Sequence, residues 1–319
     1  MTTSPAQSPA GSPTTGPSQS PAGSPTTSLI FGIGIPASAG PNDDPVALAQ
    51  EAERLGYDFV SAADHPGGAD PSYDTPTMLT WIAARTSRIK VASRVLAVPF
   101  RRPAMVAKLA ASLDQLSGGR VILGLGAGYS DQEIAAVGGP AQSPAEKIDA
   151  LAEAIQIIRG AWTCPGYTQD GRYYSVRDLE MAPRPHPSVP IWLGTFGPRA
   201  LAVTGRLADG WIPSLGYRPV EELPAMRRRI DEAALASGRK PDDVRGILNL
   251  TLRLDPGAEP ERDTVSGSAG EVVEQLRDLL GLGFTGFNFA IAGPDRIAAM
   301  SQVAEEVLPA LRSAATAAS

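Results

Sequence analysis

Between Leu29 and Arg312 the chain alternates short apolar runs with amphipathic segments eight times, and this rhythm constrains the fold more than any other feature. The runs read as strands are Leu29 to Ile35, Tyr57 to Ala62, Ile89 to Val98, Val121 to Leu125, Pro190 to Gly194, Gly210 to Ile212, Val244 to Leu254 and Phe284 to Ile291. All but the sixth are followed by a stretch with a helix-start signal. Asp44-Pro45 and Thr75-Pro76 open the first two, Pro103 the third, Gly197-Pro198 the fifth and Gly293-Pro294 the last. Ser143-Pro-Ala-Glu146 and Ser268-Ala-Gly-Glu271 carry the capping-box pattern. Strict alternation implies parallel strands with crossover helices, and eight is the number that closes a (β/α)8, or TIM, barrel.

The rival is an open doubly wound sheet. Against it, the first strand leads from Gly32 and Gly34 to Pro36 and Ser38 rather than to a third glycine, and the GLGAG loop after the fourth strand meets Tyr129 where that glycine would stand. No GxxxxGK[ST] occurs. Residues 163 to 190, rich in proline, tyrosine and charge, break the rhythm and predict a hairpin excursion before the fifth strand.

Residues 1–28 repeat the octet SPAGSPTT and contain no charged or aromatic residue, which predicts a disordered tail ahead of one barrel domain over 29–319. The tail lacks the basic and apolar regions of a signal peptide, and no apolar run is long enough to span a bilayer. One cysteine, Cys164, and two distant histidines, His65 and His186, leave no metal-ligand pattern, so no metal is expected. His186, between two prolines, reads as a surface loop residue. A net charge of −6 with scattered arginines argues against nucleic acid. A cytoplasmic protein acting on a small molecule, without nucleic-acid or membrane partners, is the expectation.

In a closed barrel the chemistry lies in the loops after the strands. Asp64 and His65 follow the second strand, where they can exchange a proton near neutral pH or can simply cap the loop around Pro66. Ser93, Arg94 and Val95 place a cation inside an apolar strand, which calls for a bulge or bend at the rim or for a solvated strand end. The loops Gly126-Ala127-Gly128-Tyr129 and Thr195-Phe196-Gly197 run toward helices, as phosphate-binding loops do and as ordinary turns do.

FGIGIP, LDQLSGGRVILGLGAGY, the ADGW after the fifth helix and the closing EEVLPALR together resemble the bacterial luciferase-like flavin and deazaflavin oxidoreductases, the luciferase-like monooxygenase family. The likeness runs from residue 29 to about 312 and is strongest to the branch that uses coenzyme F420. It implies an F420-dependent oxidoreductase in which His65 is the acid/base beside the deazaflavin ring and Asp64 contacts the ring. It also implies a bulge with a non-prolyl cis peptide among Ser93, Arg94 and Val95, which backs the cofactor ring and makes these three residues cofactor-binding. Gly126, Ala127, Gly128 and Tyr129, with Thr195, Phe196 and Gly197, then fall in the loops that hold the cofactor, and a homodimer, common in that family, stays open. The sugar-phosphate dehydrogenases of that branch carry a glutamate where this chain has Tyr129, so their substrate does not carry over. The alternatives are an FMN-dependent monooxygenase of the same fold and a flavin-binding barrel without turnover.

Overall fold

The first apolar run becomes a fully embedded strand, β1 (Ile30–Gly34), in a computed structural model that describes residues 28–40, 43–185, 188–259 and 261–317. The tail, apart from Ser28, and His186 lie outside the described residues. The other barrel strands are β2 (Phe59–Ala62), β3 (Lys90–Ser93), β4 (Val121–Gly126), β5 (Ile191–Leu193), β6 (Gly210–Trp211), β7 (Arg245–Leu254) and β8 (Gly286–Ile291). Each pairs in parallel with the next, and β8 returns to pair with β1, so the sheet closes on itself as an eight-stranded barrel. Tyr167–Asp170 and Ser175–Leu179 form the antiparallel hairpin before β5. Two further pieces extend the sheet, the first within the predicted third strand and the second not read from the sequence. Leu96–Ala97 resumes pairing with β4 beyond an interruption in β3, and Thr264–Gly267 lies parallel to the last residues of β7.

The helices of the ring are α1 (Pro45–Arg54), α2 (Thr75–Arg85) and α3 (Pro103–Ser117), then a short α4 (Asp131–Ala136) that the strand–helix rhythm does not predict. They continue as α5 (Pro144–Thr163), α6 (Pro198–Leu207), α7 (Leu223–Ala236), α8 (Ala269–Gly281), α9 (Arg296–Gln302) and, beyond a wider turn at Val303–Val307, α10 (Leu308–Ala317). Their starts follow capping chemistry. Asp44 accepts from the N–H groups of Val46 and Ala47, and both capping boxes, Ser143 with Glu146 and Ser268 with Glu271, are formed. Helix α9 begins two residues later than Gly293-Pro294 suggests, because the Asp295 carboxylate takes the Ala298 N–H and thereby sets the first turn. No described helix is long and apolar enough to cross a membrane.

Apolar packing has two compartments. The larger lies between strands and helices and includes Phe31, Phe287 and Phe289; each such ring or branched side chain removed from water contributes roughly 1.5–3 kcal/mol. The smaller fills the lower barrel interior with Phe59, Ala92, Ile122, Trp192, Ile212 and Ile247. Phe59 and Trp192 meet edge to face at 5.3 Å. Two strand glycines make room for them, since a Cβ on Gly32 would stand 2.2 Å from the Phe59 ring and one on Gly210 2.4 Å from Trp192. Above this plug the interior turns polar and then opens at the C-terminal ends of the strands.

Candidate active site

A polar layer rests on the apolar plug. Ser61 of β2 donates its hydroxyl to Asn288 Oδ1 of β8 at 2.8 Å, Asn288 Nδ2 donates to Asn249 Oδ1 of β7 at 2.7 Å, and Asn249 Nδ2 donates to Ser214 Oγ at 2.9 Å. All three bonds run in one direction, so the Ser214 hydroxyl proton remains for another acceptor. Ser214 lines the cavity above. None of these four polar residues was singled out in the sequence. Their common inward direction follows from the register around the closed ring, which single-strand patterns do not contain.

That cavity, about 310 Å³, opens between the strand ends. Asp64, His65, Arg94, Val95, Glu133 and Tyr217 contribute side chains to it, while Gly126, Ala127, Gly128 and Gly194 contribute wall. Of the residues predicted from the sequence, Tyr129 and Phe196 also line it. Ser93, Thr195 and Gly197 do not. Ser93 Oγ is spent on β4, accepting from Gly124 N–H and donating to Gly124 O, both at 2.9 Å. Thr195 is buried with its hydroxyl 2.7 Å from that of Thr204, and Gly197 forms the N-cap of α6 without a side-chain cap.

Beyond β3 the backbone bulges, and the Arg94–Val95 peptide bond is cis. The glycines of the fourth strand are what let it do so. A Cβ at Gly124 would lie 1.9 Å from Ser93 O, and one at Gly126 2.6 Å from Val95 Cγ2. Their first task is therefore to admit the bulge, which brings Val95 into the cavity wall and turns Arg94 inward. Arg94 Nη2 lies 3.8 Å from where a Cβ on Gly34 would be. Its Nε is buried without a hydrogen-bond partner among the described residues, and burial pushes the guanidinium below its usual range, offset in part by Tyr217.

The loop after β2 is tied down before it presents His65. Thr75 Oγ1 donates to Ala63 O at 2.6 Å, and Arg101 grips the Asp64 carboxylate with Nη1 at 2.6 Å and Nη2 at 3.1 Å. Arg101 also bonds Asp74, the N-cap of α2, at 2.7 Å. Asp64, with its side chain 1% exposed, thus acts as an anchor for the loop. His65 stands out at 48% exposed, and its Nδ1–H donates to Glu133 Oε1 at 3.1 Å, which leaves Nε2 as the nitrogen open to a ligand. Tyr129 lies edge-on to the imidazole at 6.3 Å. On the opposite part of the rim Phe196 stacks on the exposed Tyr217 at 5.2 Å.

Glu133 was missed from the sequence, although a signal exists. Ser130-Asp-Gln-Glu133 has the spacing of a capping box, and Ser130 does accept from Glu133 N–H at 3.2 Å. The glutamate side chain, in place of closing the box, turns to His65. The carboxylate that holds His65 thus stands one helical turn beyond Tyr129.

A parallel barrel with a bulged third strand and an imidazole–carboxylate pair at its mouth defines the class of this protein, and the family profile of the luciferase-like monooxygenases matches residues 27–260. The chain belongs to that family. It is 29% identical to an F420-dependent glucose-6-phosphate dehydrogenase of Microbacterium testaceum, over 86% of this chain and 94% of the relative. It is 31% identical to the protein of that name from Beutenbergia cavernae, over 84% and 93%. Among solved structures, an F420-dependent secondary alcohol dehydrogenase in complex with an F420–acetone adduct superimposes with a TM-score of 0.80 at 19% identity, covering 89% of this chain and 99% of the other.

Proposed function

We propose that the protein is an oxidoreductase that uses coenzyme F420 to move a hydride to or from a small organic substrate. The observation that carries this reading is the convergence, on one cavity, of an imidazole held by a carboxylate and a strand bulge that exposes backbone and one branched side chain. The residues present suit a flat ring. Val95 offers a smooth face, and Gly126, Ala127 and Gly194 keep the adjoining walls at backbone depth. Those residues would hold the ring, with the uncapped first turn of α6 at Gly197 available to the phosphate of the tail. When bound, the deazaflavin supplies hydride transfer at its C5 carbon.

The protein's own residues do the rest. His65 takes the proton of a substrate hydroxyl at Nε2, or returns it to a carbonyl in the reverse direction, while Glu133 accepts from Nδ1 and stabilises the ring when both nitrogens are protonated. Asp64 and Arg101 fix the loop that carries the imidazole. Phe196, Tyr217 and Tyr129 form an aromatic rim that limits water over the reacting atoms. A cytoplasmic homodimer is part of the reading, and sedimentation of the purified protein measures the second half of it.

Titration of the protein with F420, followed by the deazaflavin's own fluorescence, tests the cofactor. Saturable binding with no affinity for FMN is expected; tight FMN binding without F420 binding overturns the proposal. His65→Ala is expected to keep F420 affinity and the unfolding midpoint while lowering turnover about 10²–10⁴-fold, the usual share of a positioned acid/base.

A further inference from the structure

Two carboxylates line the mouth cavity with Arg94, and each is held by a neighbour. Asp64 is held by Arg101 through two hydrogen bonds, and Glu133 is committed to His65. Arg94 alone faces the space without an ion-pair partner. Among the described residues its guanidinium enters no ion pair or hydrogen bond, although Nε is buried. A buried guanidinium N–H with nothing to donate to is costly. In the same cavity the Ser214 hydroxyl, already accepting from Asn249 at 2.9 Å, has its proton left to give. The chain of amides beneath Ser214 donates in one direction only, so it enforces that role.

We infer that Arg94 and Ser214 form a binding site for the carboxylate of the substrate. This assignment builds on the proposed oxidoreductase function and names the class of molecule it acts on: small hydroxy- or oxo-compounds that carry a single carboxylate. One cation without an ion-pair partner matches a monoanion. A planar guanidinium and a hydroxyl lining one cavity supply donors for two carboxylate oxygens, whereas a phosphate dianion would leave charge and acceptors unmatched. A cavity of about 310 Å³ stands at the small end of ligand pockets, roughly 300–1,000 Å³, so a substrate that shares it with a ring must itself be small. The stacked Phe196 and Tyr217 suit an apolar remainder.

The test separates this site from the cofactor. Isothermal titration of the cofactor-free full-length protein with benzoate, 2-oxobutanoate and inorganic phosphate should give saturable binding of a carboxylate and weaker binding of phosphate. Arg94→Gln should weaken the carboxylate at least about tenfold, the loss of one charge-assisted hydrogen bond, with Ser214→Ala producing a smaller loss. Arg94→Lys should restore part of the affinity. In parallel, F420 affinity measured by fluorescence should be the same for Arg94→Gln and the native chain, with circular dichroism confirming that the variant folds. The inference is overturned if phosphate binds more tightly than every carboxylate, if no carboxylate binds, or if carboxylate binding survives Arg94→Gln. It is also overturned if Arg94→Gln loses F420 affinity as steeply as carboxylate affinity, since Arg94 would then serve the ring. Failure of F420 to bind the native chain would remove the proposed function and leave the carboxylate result standing on its own.

Discussion

Two arginines turn into this barrel, one buried at the N-terminal end and one partly buried at the C-terminal end, and their surroundings are opposite. Arg120, just before β4 at the N-terminal end, spends its guanidinium on the fold: Nε donates to Ser117 O, Nη1 to Ile89 O and Thr86 Oγ1, and Nη2 to Ala83 O at 2.6 Å and Thr86 O at 3.2 Å. Arg94, at the C-terminal end, donates to no described residue. The contrast extends to the cavities. The lower one is the larger, about 780 Å³ against about 310 Å³, yet several of the polar groups that line it are used by the chain itself. Asp58 accepts from Phe31 N–H, Asp209 from Ile191 N–H and Arg159, and Arg245 donates to Ser28 O. Size therefore does not locate function in this molecule; unspent hydrogen-bonding capacity does.

The sharpest way to break that comparison is to remove both arginines in turn. Arg120→Ala leaves several buried carbonyls without a donor, each worth about 1–3 kcal/mol and not additive, so a loss of about 4 kcal/mol is expected in urea unfolding. Arg94→Met should be neutral or stabilising by about 1 kcal/mol, because it replaces an unpaired buried cation with an apolar side chain of similar length. Equal losses at the two sites would mean that Arg94 has structural partners after all, and the division between the two ends would fail.

A smaller effect separates anchor from ligand contact within the mouth. Asp64→Asn removes the charge that Arg101 grips through two hydrogen bonds, for which about 2 kcal/mol of stability is expected to go, as for hydrogen bonds to charged groups generally. Turnover should fall through kcat as the His65 loop loosens, with F420 affinity kept. Unchanged stability together with weakened cofactor binding would instead make Asp64 a ring contact, the role that the family resemblance implies.

These two ends were unequally legible in the sequence. The eight strands and most helix starts could be read because each depends on local signals, periodicity and caps, that a window of ten residues contains. Placing the mouth residues required the closed ring. Gly124 and Gly126 read as loop glycines, but a side chain at either would strike Ser93 or Val95, so their meaning depends on a neighbouring strand about 30 residues away. Thr195 sits beside Phe196 in sequence yet turns to Thr204 and away from the cavity. Ser61, Asn249 and Asn288 looked like stray polar residues in apolar strands until register aligned them. Glu133 was hidden because α4 is too short to disturb the strand–helix rhythm, although Ser130 announced it.

The mildest test concerns the lower end, where a carboxylate serves structure alone. Glu53, at the end of α1, accepts from the N–H groups of Ser87 at 2.8 Å, Arg88 at 2.5 Å and Ile89 at 2.9 Å, and so joins the first helix to the segment that enters β3. Burial alone would raise its pKa, but the three N–H donors and the Arg88 charge outweigh that, and it lies below the ordinary glutamate value. The sign follows from linkage. A carboxyl with a depressed native pKa contributes stability that is fully present above the unfolded value, about 4.3, and is lost as pH falls through the native one. Glu53→Gln should therefore cost on the order of 1 kcal/mol at pH 7, about one net hydrogen bond, because the amide oxygen still accepts. That difference should shrink progressively in unfolding curves as pH falls below the unfolded value and through the native one. A gap between the two proteins that stays constant over the whole acid range in which the native protein remains folded would show that Glu53 stabilises by shape and not by charge.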